Sequence, residues 1–232
     1  MSSDLQPLPP QNALESLAIL KKLGLANRQL AELKGTAMSI PNQTILIDTL
    51  ALQEAKYSSE IENIITSQDA MYKQQVLGNA IFDSAAKEVG LYSEALKHGF
   101  DLVRKHQLLS LNHVEEIHRT MMPTSQGLRK LPGTVLKNPA TNEIVYTPPQ
   151  DYKEVRSLME NLMDYINLPG MDSLDPLIKM AIIHYQFESI HPFYDGNGRV
   201  GRIINVLYLV LSDLLNLPIL YLSRYITRNK SE

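Results

Sequence analysis

The chain has 232 residues, 44% of them hydrophobic, no cysteine and a formal net charge of −3. That length suits one large domain, or one domain with a small appendage, around a sizeable core. The charge argues against a broad basic surface for nucleic acid, and the missing cysteines exclude disulfides and thiolate metal sites.

The first residues, MSSDLQPLPPQN, lack the basic and apolar segments of a signal peptide. The longest apolar run, Ile203 to Leu211, contains Asn205 and is too short to span a bilayer. The expectation is a soluble, cytoplasmic protein with no membrane or nucleic-acid partner. Residues 1–11 read as a loose Pro-rich arm. A helix is expected from Asn12 to Lys34, with Leu14, Leu17, Ala18 and Leu25 on one face and Gly24 as a break point. Pro41-Asn42 is a turn, and a second helix runs from about Gln43 to Lys56. KYSSEIENIITS then reads as a short helix with its own start, because Ser59 and Glu62 have capping-box spacing. A charged helix from about Asn79 to His106 is expected at the surface. A short helix covers 112–122.

Between Gln126 and Gln150 the chain changes character. Gly127, Pro132, Gly133, Pro139, Pro148 and Pro149 punctuate it, and Thr134-Val135-Leu136 and Ile144-Val145-Tyr146 flank the turn-rich NPATNE. This reads as a β-hairpin. A helix follows at 151–167. Asp175-Pro176 starts another, with Asp at the N-cap and Pro at the first helical position. LIKMAIIHYQFESI is apolar on nearly all sides and must end near His191, since the residue before Pro192 is steered from the α region. Val200–Leu215 and about Ile219–Arg228 complete an all-α chain with one hairpin.

The chemistry concentrates in His191–Arg202, HPFYDGNGRVGR. Gly196 and Gly198 let backbone N–H groups approach a ligand, and they precede a helix whose first N–H groups favour anions. Arg199 and Arg202 share a face of that helix's first turn. Positive charge there opposes the helix dipole unless an anion neutralises it, and guanidinium forks match phosphate oxygens. Asp195 offers a hard oxygen for Mg²⁺ beside phosphates, and His191 is placed to act as a base. Each feature alone is commonly just a turn or cap; their coincidence in one loop points to a triphosphate site. A metallohydrolase fits less well, since no HExxH-type cluster is present. Neither a P-loop nor a dinucleotide fingerprint is present. His98, His106, His113, His118 and His184 show no partner spacing and read as surface or core residues.

The loop matches HxFx(D/E)GNGRxxR at every fixed position, and with FESI upstream and Ile203-Ile204-Asn205 downstream the chain resembles the Fic (filamentation induced by cAMP) family from about residue 40 onward. The resemblance implies a helical Fic fold with a β-hairpin flap. It implies transfer of AMP from ATP to a Ser, Thr or Tyr hydroxyl of a target protein. His191 would take the hydroxyl proton and Asp195 would hold Mg²⁺. Gly196, Asn197 and Gly198 would supply an anion hole, and Arg199 and Arg202 would grip the β- and γ-phosphates. Asn205 would support the nucleotide or cap the loop as a buried polar residue. The flap, about 126–149, would pair an edge at Thr134, Val135, Leu136 and Lys137 with a target segment; otherwise it is a plain surface hairpin.

Ser58-x-x-x-Glu62-Asn63 resembles the family's inhibitory motif (S/T)xxxE(G/N). The resemblance implies that Glu62, on a helix about 57–66 with Ser58 on the same face, pairs with Arg202 and inhibits the enzyme. An N-terminal region, 1–110, would then carry the inhibitory helix, and 111–232 the Fic core. Three alternatives stay open: a Fic enzyme moving another nucleotide-derived group such as UMP or phosphocholine, one removing AMP with the help of Glu62, and a non-catalytic nucleotide-binding interaction module. Self-modification and a homodimer are also left open. Similar Fic proteins often continue into a winged-helix region, so this chain is expected to end early relative to them.

Overall fold

The computed structural model describes residues 5–11, 14–77, 83–138 and 140–229. The start of the Pro-rich arm, the expected helix starts at Asn12 and Asn79, Pro139 of the hairpin turn and the last three residues lie outside them. The described elements are α1 (Leu17–Met38), α2 (Gln43–Ile61), α3 (Gln68–Leu77), α4 (Ser84–His106), α5 (Leu111–Met121), β1 (Leu136–Lys137), β2 (Ile144–Tyr146), α6 (Tyr152–Asn167), α7 (Pro176–Ile190), α8 (Asn197–Leu211) and α9 (Ser223–Arg228). The protein is therefore all-α with a small antiparallel hairpin. Among the described residues no helix is long and apolar enough to cross a membrane.

Several helix starts follow side-chain capping. Ser16 caps α1 through Ile19 N (3.3 Å), and α1 continues through Gly24 to Met38. Leu17 and Leu25 are exposed, while Leu30 and Ala37 are the buried positions, so the expected apolar face is not the packed one. Asn42 caps α2 and Asp151 caps α6. Asp175 accepts from Leu177 N at 2.8 Å with Pro176 in the first turn, as the sequence signals. The apolar run after the loop is helical only to Leu211, and α9 begins at Ser223 rather than Ile219.

Two corrections matter for the site. First, α2 does not stop at Lys56. Nothing between Gln43 and Ile61 breaks a helix, so the backbone ladder continues and the expected separate helix at 57–66 does not form. Ser59 lies inside the last turn rather than at an N-cap. Its carbonyl accepts from Glu62 N and Ile64 N, each at 3.0 Å, and Glu62 is the C-cap. Asn63, at φ 65°, turns the chain away. Second, α4 is not a surface helix. Ala86, Val89, Tyr92, Ser93, Leu96, Gly99, Phe100 and Val103 are buried at helical spacing, and its charges occupy the opposite face. It packs against α2, α5 and α8 at the centre of the main core.

The hairpin is shorter than expected. Leu136 pairs with Tyr146 and Lys137 with Ile144, and Thr134 and Val135 precede the strand. Gln150 closes its base by accepting from Gly133 N (2.6 Å) and donating to the carbonyls of Thr134 (2.9 Å) and Pro148 (2.6 Å).

At Gly99 the helices approach so closely that an added Cβ would lie 2.8 Å from a Leu207 methyl and 2.9 Å from an Ile117 methyl. Gly99→Val should lower stability by about 1–3 kcal/mol through overpacking, measured as a lower denaturant midpoint with an unchanged slope.

Candidate active site

The loop between α7 and α8 is held by its own side chains. Asn197 Oδ1 accepts from Phe193 N (2.9 Å), and its amide donates to Phe193 O (2.8 Å). The Asn197 side chain thus fastens the loop, and only its backbone is left for a ligand. His118, on α5, stacks on Phe193 at 3.7 Å between ring centres. Its Nε2 lies 2.9 Å from the Asp195 carbonyl and its Nδ1 2.7 Å from Ser125 Oγ. A carbonyl only accepts, so Nε2 carries the proton and Nδ1 accepts from the hydroxyl. Burial holds this imidazole below the ordinary histidine range, in keeping with that neutral form. Nothing in the spacing of His118 signalled the role; it depends on α5 packing beneath the loop.

Gly196 is the N-cap of α8 at φ 77°, with no capping side chain on the first-turn N–H groups. A Cβ there would also meet Met121 at 2.8 Å. Bare N–H groups at a helix start are an anion site. Arg199 and Arg202 stand in the first two turns and are both buried. They are not free. Glu62 places Oε2 2.8 Å from Arg199 Nε and Oε1 2.7 Å from an Arg202 terminal nitrogen. Arg202 also donates to Ser58 Oγ (2.7 Å) and to the Ser58 carbonyl (3.0 Å). The expected Glu62 contact thus extends to both arginines. The same carboxylate oxygen lies 2.6 Å from where a Cβ on Gly198 would stand, so Gly198 makes room for it. Glu88 on α4 adds a second carboxylate 3.3 Å from Arg199.

The end of α2 is fixed from its other side. Glu54, Ser58 and Glu62 are spaced four apart, one stripe of the helix. Buried Glu54 meets the Ser223 N–H (3.1 Å) and hydroxyl, which docks α9 along α2. Burial raises the Glu54 carboxyl above its usual range. Burial, and then the Glu54 carboxylate, raise the nearby Tyr92 hydroxyl above its ordinary range.

His191 caps α7 in the left-handed region, at φ 49° and ψ 60°. Burial lowers its imidazole, against the opposite pull of the Glu188 backbone; Arg129 also lowers it, and Asp195 and Glu62 raise it. A neutral imidazole at neutral pH can accept a proton. Asp195 accepts from Gly196 N (2.6 Å), and its side chain is 70% exposed at the loop's outer edge. Among the described residues no group of three or more His, Asp or Glu is placed to hold a metal by itself. Asp195 fits Mg²⁺ as a single carboxylate that needs phosphate oxygens beside it. Asn205 is buried on α8, and its Oδ1 has no partner among the described residues.

Arg129 went unnoticed in the sequence. It is fully buried, and its guanidinium donates to the carbonyls of His191 (2.8 Å), Ile190 (3.2 Å) and Pro149. Glu188 was also missed except as part of FESI. An apolar cavity of about 900 Å³ between the N-terminal arm, α1 and α7 shares no residue with the loop.

With this geometry in hand, the comparisons agree on a class. The Fic/DOC family N-terminal profile matches residues 20–101, and the Fic/DOC family profile matches residues 108–209. The chain belongs to the Fic/DOC family. It is 29% identical over 188 residues to a probable protein adenylyltransferase of Aquifex aeolicus, covering 78% of this chain and 54% of that one. It is 27% identical over 114 residues to the protein adenylyltransferase fic-1 of Caenorhabditis elegans, covering 48% of this chain and 21% of the relative. It thus spans about half of the first relative's length and about a fifth of the second's. In fold it is similar to a Fic family protein of Desulfovibrio desulfuricans (TM-score 0.73, 20% identity, 96% of this chain and 66% of that one). It is also similar to a Fic domain containing signaling protein of Bacteroides thetaiotaomicron (TM-score 0.66, 19% identity, 87% and 91%).

Glu188 provides a pH test of the surroundings of Arg202. Burial pushes its carboxyl up to about 7, Arg202 pulls it down and Glu62 pushes it up. An acid with a raised folded pKa contributes full stability below its unfolded pKa and loses it as pH rises through the folded value. Glu188→Gln, which mimics the protonated form, should therefore gain stability over wild type as pH rises from about 4.5 to about 7, by at most roughly 3 kcal/mol. Denaturant midpoints of both proteins at acidic and neutral pH check it; a pH-independent difference contradicts it.

Proposed function

We propose that the protein is an adenylyltransferase that moves AMP from ATP to a Ser, Thr or Tyr hydroxyl of a target protein, and that Glu62 inhibits it. The observation that carries this reading is the single carboxylate spanning Arg199 and Arg202 beside bare helix N–H groups. That is an anion site in which a resident anion stands where phosphate would bind. The names of the two adenylyltransferase relatives support the substrate class.

In this reading the triphosphate lies against the backbone N–H groups of Asn197 and Gly198, and of Gly196 once Asp195 turns to the metal, with Arg199 on the β-phosphate side and Arg202 on the γ-phosphate. His191 accepts the proton of the target hydroxyl. The oxygen bonds to the α-phosphorus, the bond to the β-phosphate oxygen breaks, and pyrophosphate leaves. Asp195 would hold Mg²⁺, which when bound neutralises phosphate oxygens. The chain's contribution is positioning and fixed electrostatics. Asn205, whose buried oxygen has no partner among the described residues, would support the nucleotide. The hairpin edge from Thr134 to Lys137 would hold the target segment beside His191. The N-terminal part, to about residue 110, then carries the inhibition and the remainder the transfer site. The reaction is assigned to the cytoplasm.

Inhibition has a physical basis. A phosphate must displace Glu62 from two buried guanidinium groups, and a charge-assisted hydrogen bond contributes about 1.5–3 kcal/mol. Glu62→Gly should therefore raise transfer of label from α-labelled ATP to protein roughly tenfold to a hundredfold. No gain over wild type overturns the inhibitory role. Adding His191→Ala to that variant should lower transfer by about 10²–10⁴-fold, read on the same gel. Retained transfer would remove His191 from the mechanism.

A further inference from the structure

The two parts that must meet in transfer are the base and the hairpin that would carry the target. They are joined by a small set of hydrogen bonds. The segment leading into the hairpin runs along the loop that follows α7. Arg129 N donates to Pro192 O at 2.9 Å. Tyr194 Oη accepts from Lys130 N (3.1 Å) and Leu131 N (3.0 Å). Beneath this pair lies the Arg129 side chain. Its guanidinium takes the carbonyls of Ile190 and His191 on one side and of Pro149, where the hairpin returns, on the other. Two of these are end carbonyls of α7, which have no partner within the helix. A cation there also suits the helix dipole. A fourth tie, Tyr146 Oη to the Ser189 carbonyl at 3.1 Å, joins β2 to the same helix end.

One planar side chain thus fixes three things together: the left-handed backbone of His191, the entry to the hairpin and its exit. A lysine keeps the charge but presents a point donor rather than a rigid fork. It cannot hold carbonyls from two segments in one plane. Arg129 touches neither of the arginines that would bind phosphate, so its effect should be separable from ATP binding.

We propose that Arg129 is a positioning residue of the transfer site, locking the hairpin and the His191 loop into one relative placement. The inference rests on the transfer reading of His191, and the test keeps the two apart. In the Glu62→Gly protein, Arg129→Lys is compared with its parent for ATP affinity and for pyrophosphate release from ATP, with a cell lysate supplying the protein hydroxyls that accept AMP. A spin-label distance distribution is measured between Thr141→Cys at the hairpin turn and Tyr185→Cys on α7. The natural chain has no cysteine, so only these two sites take label. The expected result is pyrophosphate release slowed by about tenfold to a hundredfold, unchanged ATP affinity and a broadened distance distribution. A distribution as narrow as the parent's overturns the proposal. So does ATP affinity falling in step with rate, which would mean diffuse structural damage. If the Glu62→Gly parent releases no pyrophosphate even with a cell lysate supplying protein hydroxyls, the transfer reading fails and the distance distribution alone decides the role of Arg129. If Arg129→Lys does not fold, Tyr194→Phe cuts only the exposed pin between the same segments. It should broaden the distribution less and slow release less, and a protein indistinguishable from its parent overturns the proposal.

Discussion

The structure around the loop depends on how a buried positive charge is neutralised. Arg199 and Arg202 sit in the first turns of α8, where the helix dipole already presents positive charge. Both are buried, so neither can rely on water. The protein supplies one carboxylate, Glu62, to both. Much else follows from that requirement. Helix α2 must run on to Ile61 so that its C-cap reaches α8. Gly198 must lack a side chain so that Glu62 can enter. The stripe Glu54–Ser58–Glu62 must face inward, which brings Ser223 into the same buried polar group. A ligand that displaces that carboxylate must itself bring negative charge to both arginines.

The same arrangement connects distant parts of the chain. The N-terminal region supplies the anion, through α2 and through Glu88 on α4. The C-terminal α9 holds α2 in place through Ser223 and Glu54. The loop itself is shaped from below by α5, where His118 stacks on Phe193 and bonds the Asp195 carbonyl. From the other flank Arg129 joins the loop to the hairpin. Removal of Arg129 or Glu54 leaves buried polar groups without a partner, which costs more than the bond contributes. The loop's geometry is therefore set by its neighbours as much as by its own glycines.

Reading the sequence was most reliable where the signal was local. The Asp175-Pro176 start, the end of α7 at His191 and the hairpin's place are statements about a few adjacent residues and their backbone preferences. It failed where a local signal competed with the continuing helix. Ser59 and Glu62 have capping-box spacing, yet the ladder from Gln43 prevails because no glycine or proline interrupts it. It also failed on α4, where dense charge hid an apolar stripe at helical spacing. Its error on α1 was of the same kind: the pattern located a helix but not which face would be covered.

By itself, the sequence determined an all-α chain with one hairpin, and it placed glycines, arginines, an aspartate and a histidine together in one loop that reads as an anion site. These follow from spacing along the chain. Only the tertiary structure decided what surrounds that loop. That Glu62 meets both arginines, that Glu88 joins it, and that His118 and Arg129 fix the loop are contacts between residues roughly sixty to a hundred and forty positions apart. No local spacing encodes them, because each depends on which helix faces pack together and on burial making an unpaired charge too costly to leave.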